Sequence, residues 1–342
     1  MQMKTPNPEK QLDTGSGRFF LRPYRDDDEE SVINLWETAF KSKMDRRIWR
    51  WKFHDNPFGR QMMLCLTESG EPVVLYAGIP FPATWNGKNI TMTQLVDNMS
   101  HPDYRQAVSG RKGLFVKTGA HFFDVYGGMH ASVYLYGFPG KRHFKLGNYL
   151  LDYKMIAGGG SYLEANTQQI KHKQVWHFGN TEEIKQFNHQ FDKLWKKNLA
   201  AFPFAACRNR LFLEWRFTGH PVNDYRIYTY SNRLNQLKSY LVLSVKGGKA
   251  NIVDVFTGKN DRSPLRRLIQ FLMRELEQND IPLAGTWLPK NHFIKDIFLE
   301  SGFQEKPEPL GITPAGKSFD ESLDFGFTAQ NIFYTMADGD LF

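Results

Sequence analysis

The chain has 342 residues, more than a single hydrophobic core usually organises, so two domains are expected. Apolar residues make up 41%, aromatic residues 15% and charged residues 23%, a balance that excludes a disordered or fibrous protein. The net charge of +8 is dispersed in short clusters such as Arg46-Arg47 and Lys196-Lys197 beside acidic residues, which reads as solvated helix faces and makes nucleic acid a disfavoured partner. Cys65 and Cys207 are far apart in apolar or helical contexts, so neither a disulfide framework nor a cysteine metal site is expected. No apolar run reaches membrane-spanning length, and the polar start over residues 1–17 is unlike a signal peptide. A flexible start and a cytoplasmic protein are the corresponding expectations.

Periodicity then gives a chain of elements. Phe19 to Tyr24 alternates as a strand, and Asp27 with Glu30 opens a helix whose stripe is Val32, Trp36 and Phe40. A second helix ends near Phe53. Strands follow at Met62 to Thr67, Val73 to Pro80 and Ile90 to Ser100, the last two joined by the hairpin signal Asn86-Gly87. A helix is expected from Lys112 to Tyr126, a strand from Ala131 to Tyr136, a short helix closing at Gly147 and a strand from Leu150 to Ile156. The glycines at 158–160 and the polar residues to 173 read as a linker. Beyond it, Asn180 with Glu183 predicts a helix carrying Ile184, Phe187, Phe191 and Leu194. Strands at Ser239 to Val245 and Ala250 to Phe256, a helix from Pro264 to Gln278, a strand from Pro282 to Trp287 and a helix to Gly302 complete the series.

The two series repeat. Trp51-Lys52-Phe53 with Pro57 matches Trp215-Arg216-Phe217 with Pro221, Val96-Asp97 matches Val253-Asp254, and Leu146-Gly147 matches Ser301-Gly302. Three anchors in one order with similar spacing imply a duplication. The expected division is a flexible 1–17, a first domain over 18–158, a linker over 159–173, a second domain over 174–305 and a C-terminal extension over 306–342.

The phrase Val96-Asp97-Asn98-Met99-Ser100-His101-Pro102-Asp103-Tyr104-Arg105 leading into Gly110-Arg111-Lys112-Gly113-Leu114-Phe115 resembles the GNAT superfamily of N-acyltransferases. With Tyr136-Gly137-Phe138-Pro139 and the W-x-F-x-x-x-P phrase, the chain is similar to bacterial tandem members of that superfamily. The resemblance implies an α/β (α+β) fold with two tandem GNAT-like domains, each a mixed, mostly antiparallel twisted sheet flanked by helices. It also implies acetyl-CoA or another acyl-CoA as co-substrate, bound by Met99, Ser100, His101, Arg105, Gly110, Arg111, Lys112, Gly113, Leu114, Phe115, Gly137 and Phe138. Unpaired N–H groups at a helix start attract a pyrophosphate where glycines leave the backbone accessible, which is the physical sense of Gly110 and Gly113. The sequence departs from the family's loop in having Gly110 where a basic or amide residue is usual, Phe115 where a small one is, and Gln106 to Ser109 inserted.

Amine acylation needs proton transfer, and Asp97, Tyr136, His143 and Tyr149 are the candidate acid and base groups. Asp97 stands alone in an apolar strand, but its recurrence as Asp254 equally suits a structural carboxylate. The second copy has no glycine-basic loop, and Phe298 stands where the family's acidic tyrosine would be, so that copy is expected to be catalytically degenerate, shaping the acceptor site or a domain interface. His101, Asp103 and His121 lack a metal-ligand spacing and there is no G-x-S-x-G, so neither a metal nor a serine hydrolase is expected. The reading is an acyl-CoA-dependent acyltransferase acting on a small-molecule primary amine such as an amino sugar or amino acid. A Fem-type aminoacyl transferase or a non-catalytic binding protein of the same fold are the alternatives, and monomer or homodimer is left open.

Overall fold

In the computed structural model the described residues are 7–15, 17–105, 112–156, 160–170 and 179–342. They fall into two compact units: Met1–Phe81, Ile90–Lys154 and Ala315–Asp324 form one, and Pro82–Asn89, Met155–Pro314 and Phe325–Phe342 the other. No helix among the described residues is long and apolar enough to cross a membrane.

The first part of the chain runs β1 (Lys10–Thr14), β2 (Gly17–Pro23), α1 (Glu29–Phe40), α2 (Arg46–Phe53), β3 (Gln61–Thr67), β4 (Pro72–Trp85), β5 (Lys88–Ser100), α3 (Leu114–Tyr126), β6 (Tyr134–Gly137), α4 (Lys141–Leu151) and β7 (Lys154–Met155). Local chemistry sets several of these limits. The Asp45 side chain accepts the Arg47 N–H and caps α2. Asn86 and Gly87 take φ values of 49° and 79°, the left-handed pair that a two-residue hairpin requires. Arg22 grips Asp28 with two hydrogen bonds of 2.7 Å. Burial alone would raise the Asp28 pKa, but that fork, the Arg25 N–H and the Arg22 charge outweigh it and lower the pKa. The core lies between the sheet and α3, where Tyr76 packs on Phe122 at 5.2 Å and on Phe123 at 5.7 Å.

The chain continues with β8 (Ser161–Asn166), β9 (Gly179–Ile184), α5 (His189–Asn198), β10 (Phe204–Ala206), α6 (Arg210–Leu213), β11 (Arg226–Asn232), β12 (Leu237–Lys246), β13 (Lys249–Thr257), α7 (Ser263–Gln278), β14 (Leu283–Leu288), α8 (Phe293–Glu300), β15 (Gln304–Lys306), β16 (Ala315–Ser318), α9 (Phe325–Asn331) and β17 (Ile332–Phe333). A single π turn over Glu214–Thr218 extends α6 through the second Trp-basic-Phe phrase. In this unit α7 buries Leu265, Leu268, Ile269, Leu272, Met273 and Leu276, the stripe of an amphipathic helix laid on a sheet.

The two sheets share a plan. One has the order β1-β2-β3-β4-β5-β6-β16-β7 and the other β15-β8-β14-β13-β12-β11-β9. Each is antiparallel along a meander and then turns parallel, at β5 with β6 and at β13 with β14. Each also admits one strand from outside its own run. β16 lies against β6 and β8 lies against β14, both antiparallel.

This plan corrects several expected boundaries. The linker expected over 159–173 contains β8, and that strand is buried on both faces, so it lacks the alternation that marks a strand in sequence. The extension expected over 306–342 contributes β16, whose sequence Ala-Gly-Lys-Ser carries no apolar pattern. Gly316 is needed there because any side chain would run into the Tyr134 hydroxyl. Residues 10–14, expected to be flexible, pair with β2 as an edge strand. The strand expected from Leu150 shrinks to Lys154–Met155, because α4 runs on past Gly147 to Leu151. Asn180 to Glu183 form the polar edge strand β9 instead of a helix start, and the helix cap is Asn188, whose side chain accepts the Gln190 N–H.

A buried histidine gives this unit an acid-sensitive element. His292 caps α8 and packs against Phe202, Phe293 and Phe333 at 5.2, 4.5 and 4.7 Å. Burial, aided by the Lys259 charge, pushes its pKa down to about 3. The unfolded chain therefore takes up a proton below its ordinary value near 6.5 that the folded chain refuses. Stability contributed by the neutral ring is present above that value and falls as the pH drops towards 3. Between pH 6.5 and 5 this costs about 2 kcal/mol. Urea unfolding at the two pH values should show that loss, and in His292→Phe the loss should shrink; an unchanged slope in the variant would refute the assignment.

Candidate active site

The parallel strands of the first unit separate. β5 and β6 pair at Met92↔Tyr134, Thr93↔Leu135 and Gln94↔Tyr136, and β5 then continues through Ser100 with no further partner on that side among the described residues. Beyond the end of this ladder the alternate residues of β5 that face the β6 side have no strand partner for their N–H and C=O groups among the described residues, and such groups need a partner. An irregularity fixes the shape of this segment. Asp97 adopts φ 51°, uncommon for a residue with a side chain, and the Asn98 side chain accepts the Ala77 N–H at 2.7 Å in place of a ladder carbonyl.

Two groups hold Asp97 from outside its strand. The Trp36 indole N–H donates to one carboxylate oxygen at 3.0 Å and the Lys52 ammonium to the other at 2.9 Å. Both charged side chains are buried, with 7% of Lys52 and 9% of Asp97 exposed. The carboxylate is therefore fully engaged. Sequence reasoning singled out Asp97 and read Lys52 only as part of a repeated phrase; the signal it contained was a basic residue on the buried face of α2, between Trp51 and Phe53.

The strand then leads to the start of α3. The His101 N–H donates to the Val73 carbonyl at 2.8 Å, and Arg105 turns back to donate to the Ser100 carbonyl at 3.1 Å and the Ala39 carbonyl at 3.3 Å. Gly110 and Arg111 lie outside the described residues. Gly113 is the N-cap of α3, and among the described residues no side chain caps that end or accepts from its first-turn N–H groups. Lys112 is exposed beside it. Leu114 is buried in the core and Phe115 packs on Tyr76 at 5.5 Å, which explains a large residue where a small one was expected.

Residues 21–137 match the family model of the acetyltransferase (GNAT) domain. Over those residues the chain is similar to a GNAT domain. Among solved structures, a conserved Enterococcus faecalis V583 protein of unknown function, itself a probable N-acyltransferase, is similar over 88% of this chain and 72% of its own, at 12% identity and a TM-score of 0.66. A GCN5-related N-acetyltransferase of Anabaena variabilis is similar over 89% and 73%, at 14% identity and a TM-score of 0.62. Saccharomyces cerevisiae N-myristoyltransferase with bound myristoyl-CoA is similar over 92% and 84%, at 10% identity and a TM-score of 0.55. At these identities the likeness is one of fold. Among curated proteins, none matches the chain in sequence.

Within the first part of the chain the expected site residues separate into two groups. Met99, Ser100 and His101 lie at the end of the parted strand, and Tyr136, Gly137 and Phe138 at the mouth of the partner strand, with Tyr136 buried and set edge-on to Phe138. His143 and Tyr149 are on exposed positions of α4, Tyr149 with 75% of its surface in solvent.

The second unit repeats the parted strands and fills them differently. β13 and β14 pair as far as Asn251↔Gly285, and Asp254 is the third residue beyond, as Asp97 is the third beyond Gln94. Here the carboxylate is wholly buried and accepts from Tyr240 at 2.9 Å, from Thr335 at 2.8 Å and from Arg208 at 3.2 Å. Arg208 also pairs with Asp338. Arg216, the counterpart of Lys52, donates to the carbonyls of Ala337, Gly339 and Phe342. The residues around the second aspartate are thus taken up by segment 335–342 of the chain itself.

Proposed function

We propose that the protein transfers an acetyl or other acyl group from acyl-CoA to a primary amine of a small molecule, an amino sugar or amino acid, by direct attack in a ternary complex. The observation that carries this reading is the parting of β5 from β6 ahead of the uncapped start of α3, within the residues that match the GNAT family. The residues present suit the cofactor, because among the described residues one side of the strand end and one helix start lack partners that a pantetheine amide and a pyrophosphate can supply.

Acyl-CoA supplies an acyl thioester whose carbonyl carbon is open to a neutral amine. In this reading the backbone of Met99, Ser100 and His101 holds the pantetheine arm and offers a main-chain N–H to the oxygen that gains charge. Lys112, with Gly110 and Arg111, and the N–H groups beyond Gly113 take the phosphates. Gly137 and Phe138 form the opposite wall. The departing thiolate needs a proton, and Tyr136, His143 and Tyr149 are the groups assigned to it. Asp97, with both oxygens occupied, shapes the strand in this scheme. The second copy is read as non-catalytic, which is supported by the filling of its aspartate site by 335–342.

Incubation with acetyl-CoA and a panel of amino sugars and amino acids, followed by a thiol-reactive dye, should show free CoA thiol released only when an acceptor amine is present. Absence of amine-dependent release with both acetyl-CoA and longer acyl-CoAs would contradict the reading.

A further inference from the structure

A cavity of about 600 Å³ lies wholly within the second unit, among residues that the acyl-CoA reading leaves unused. Its walls are one face of α5, the first residues of β12 and the loop 258–264 that enters α7. Lys193 and Lys197 stand four apart on α5 and so share a face, and Lys238 joins them from β12. Among the described residues the side chains of Lys193 and Lys197 have no ion pair or hydrogen bond, and the Lys238 ammonium donates only to the neutral side-chain amide oxygen of Gln236 at 3.2 Å. Elsewhere in the unit Lys249 sits 2.6 Å from Glu164 and Lys295 2.9 Å from Glu305. The one acid lining the cavity, Asp261, uses Oδ1 to accept the Ser263 N–H at 3.0 Å and hydroxyl at 2.7 Å.

The walls are tied together. The Leu237 N–H donates to the Gln190 side chain at 3.0 Å, which fixes β12 to α5. Gly258 leaves no room for a side chain against Asn198, which brings the loop close to the same helix. Three lysines and one carboxylate, Asp261, therefore line a braced concave volume, and the excess of positive charge favours entry of an anion.

We propose that this cavity binds a phosphorylated small molecule carrying two or more negative charges. Lysine ammonium groups act as point charges towards phosphate oxygens, and the volume falls in the range of small-ligand sites. Among the described residues no Phe, Tyr or Trp lines it, so they offer no stacking surface for a nucleobase and favour a phosphosugar or a pyrophosphate group.

Calorimetric titration of the full chain with glucose 6-phosphate and with inorganic pyrophosphate tests this. Wild type should bind at least one probe saturably, the affinity should fall as salt rises, and Lys193→Gln/Lys197→Gln should lose at least about tenfold. Lys112→Gln, at the start of α3 in the first unit, should leave this binding in place. The three substituted residues, Lys112, Lys193 and Lys197, are all exposed, so the variants should fold. No saturable binding of either probe would overturn the proposal, as would equal affinity in the double variant or a loss found only in Lys112→Gln.

Discussion

Replacing Arg208 by Met should destabilise the second unit by about 3–5 kcal/mol, the cost of leaving buried carboxylates without their cation. Arg208 is 1% exposed and stands between Asp254 and Asp338, which are themselves 0% and 3% exposed. Burial alone would lower the Arg208 pKa, but the two carboxylates outweigh it and raise it, so the guanidinium remains charged. At Asp254 burial prevails and the pKa is raised despite Arg208, which makes this carboxylate dependent on every partner it has. The cost of the variant therefore lies in what remains behind. A chain with two units need not unfold in one step, so the quantity to follow is the urea midpoint of the affected transition. A triple variant, Arg208→Met with Asp254→Asn and Asp338→Asn, should recover a large part of the loss. An Arg208→Met midpoint equal to wild type would contradict the account of the cluster.

Asp97→Leu should be damaging for the same reason in the first unit. It strands the buried Lys52 ammonium, removes the acceptor of the Trp36 indole and releases the constraint on the left-handed residue of β5. A loss of about 3–5 kcal/mol is expected on breaking one side of such a pair, and Lys52→Met/Asp97→Leu should regain part of it. The double variant separates two roles. If Asp97 only shapes the strand, the repacked pair should keep acyl transfer within about tenfold while KM for acyl-CoA rises, as expected when binding geometry is loosened. A collapse of kcat with KM unchanged would instead make Asp97 part of the chemistry.

Much of the fold was legible because its signals are local. The Asn86-Gly87 turn and the amphipathic α7 each follow from a few neighbouring residues, whereas the face that α1 buries is Val32, Ile33 and Leu35, with Phe40 of the expected stripe exposed. The exchanged strands were not legible. β8 is buried on both faces behind a glycine-rich lead, and β16 is a polar tetrapeptide that pairs with a strand far away in sequence. Pairing of that kind leaves no periodic mark. At the site, the strand end and the helix start were readable as a phrase, whereas the partners of Asp97 were not: Trp36 read as one member of an apolar stripe and Lys52 as one member of a repeat. Arg208 carried no pattern at all, since only the fold brings Asp254 and Asp338 to it.

On the proposed reading, acyl-CoA binds in the first unit, along the parted strand and at the start of α3. Calorimetric titration of acetyl-CoA, longer acyl-CoAs and free CoA into wild type and Gly113→Trp tests it most directly. Gly113 is the N-cap of α3, and an indole there would cover the N–H groups that are to receive the phosphates. Saturable wild-type binding that is lost in a folded Gly113→Trp is the result expected; no binding of any of these compounds to wild type, or binding untouched by the variant, would contradict the account.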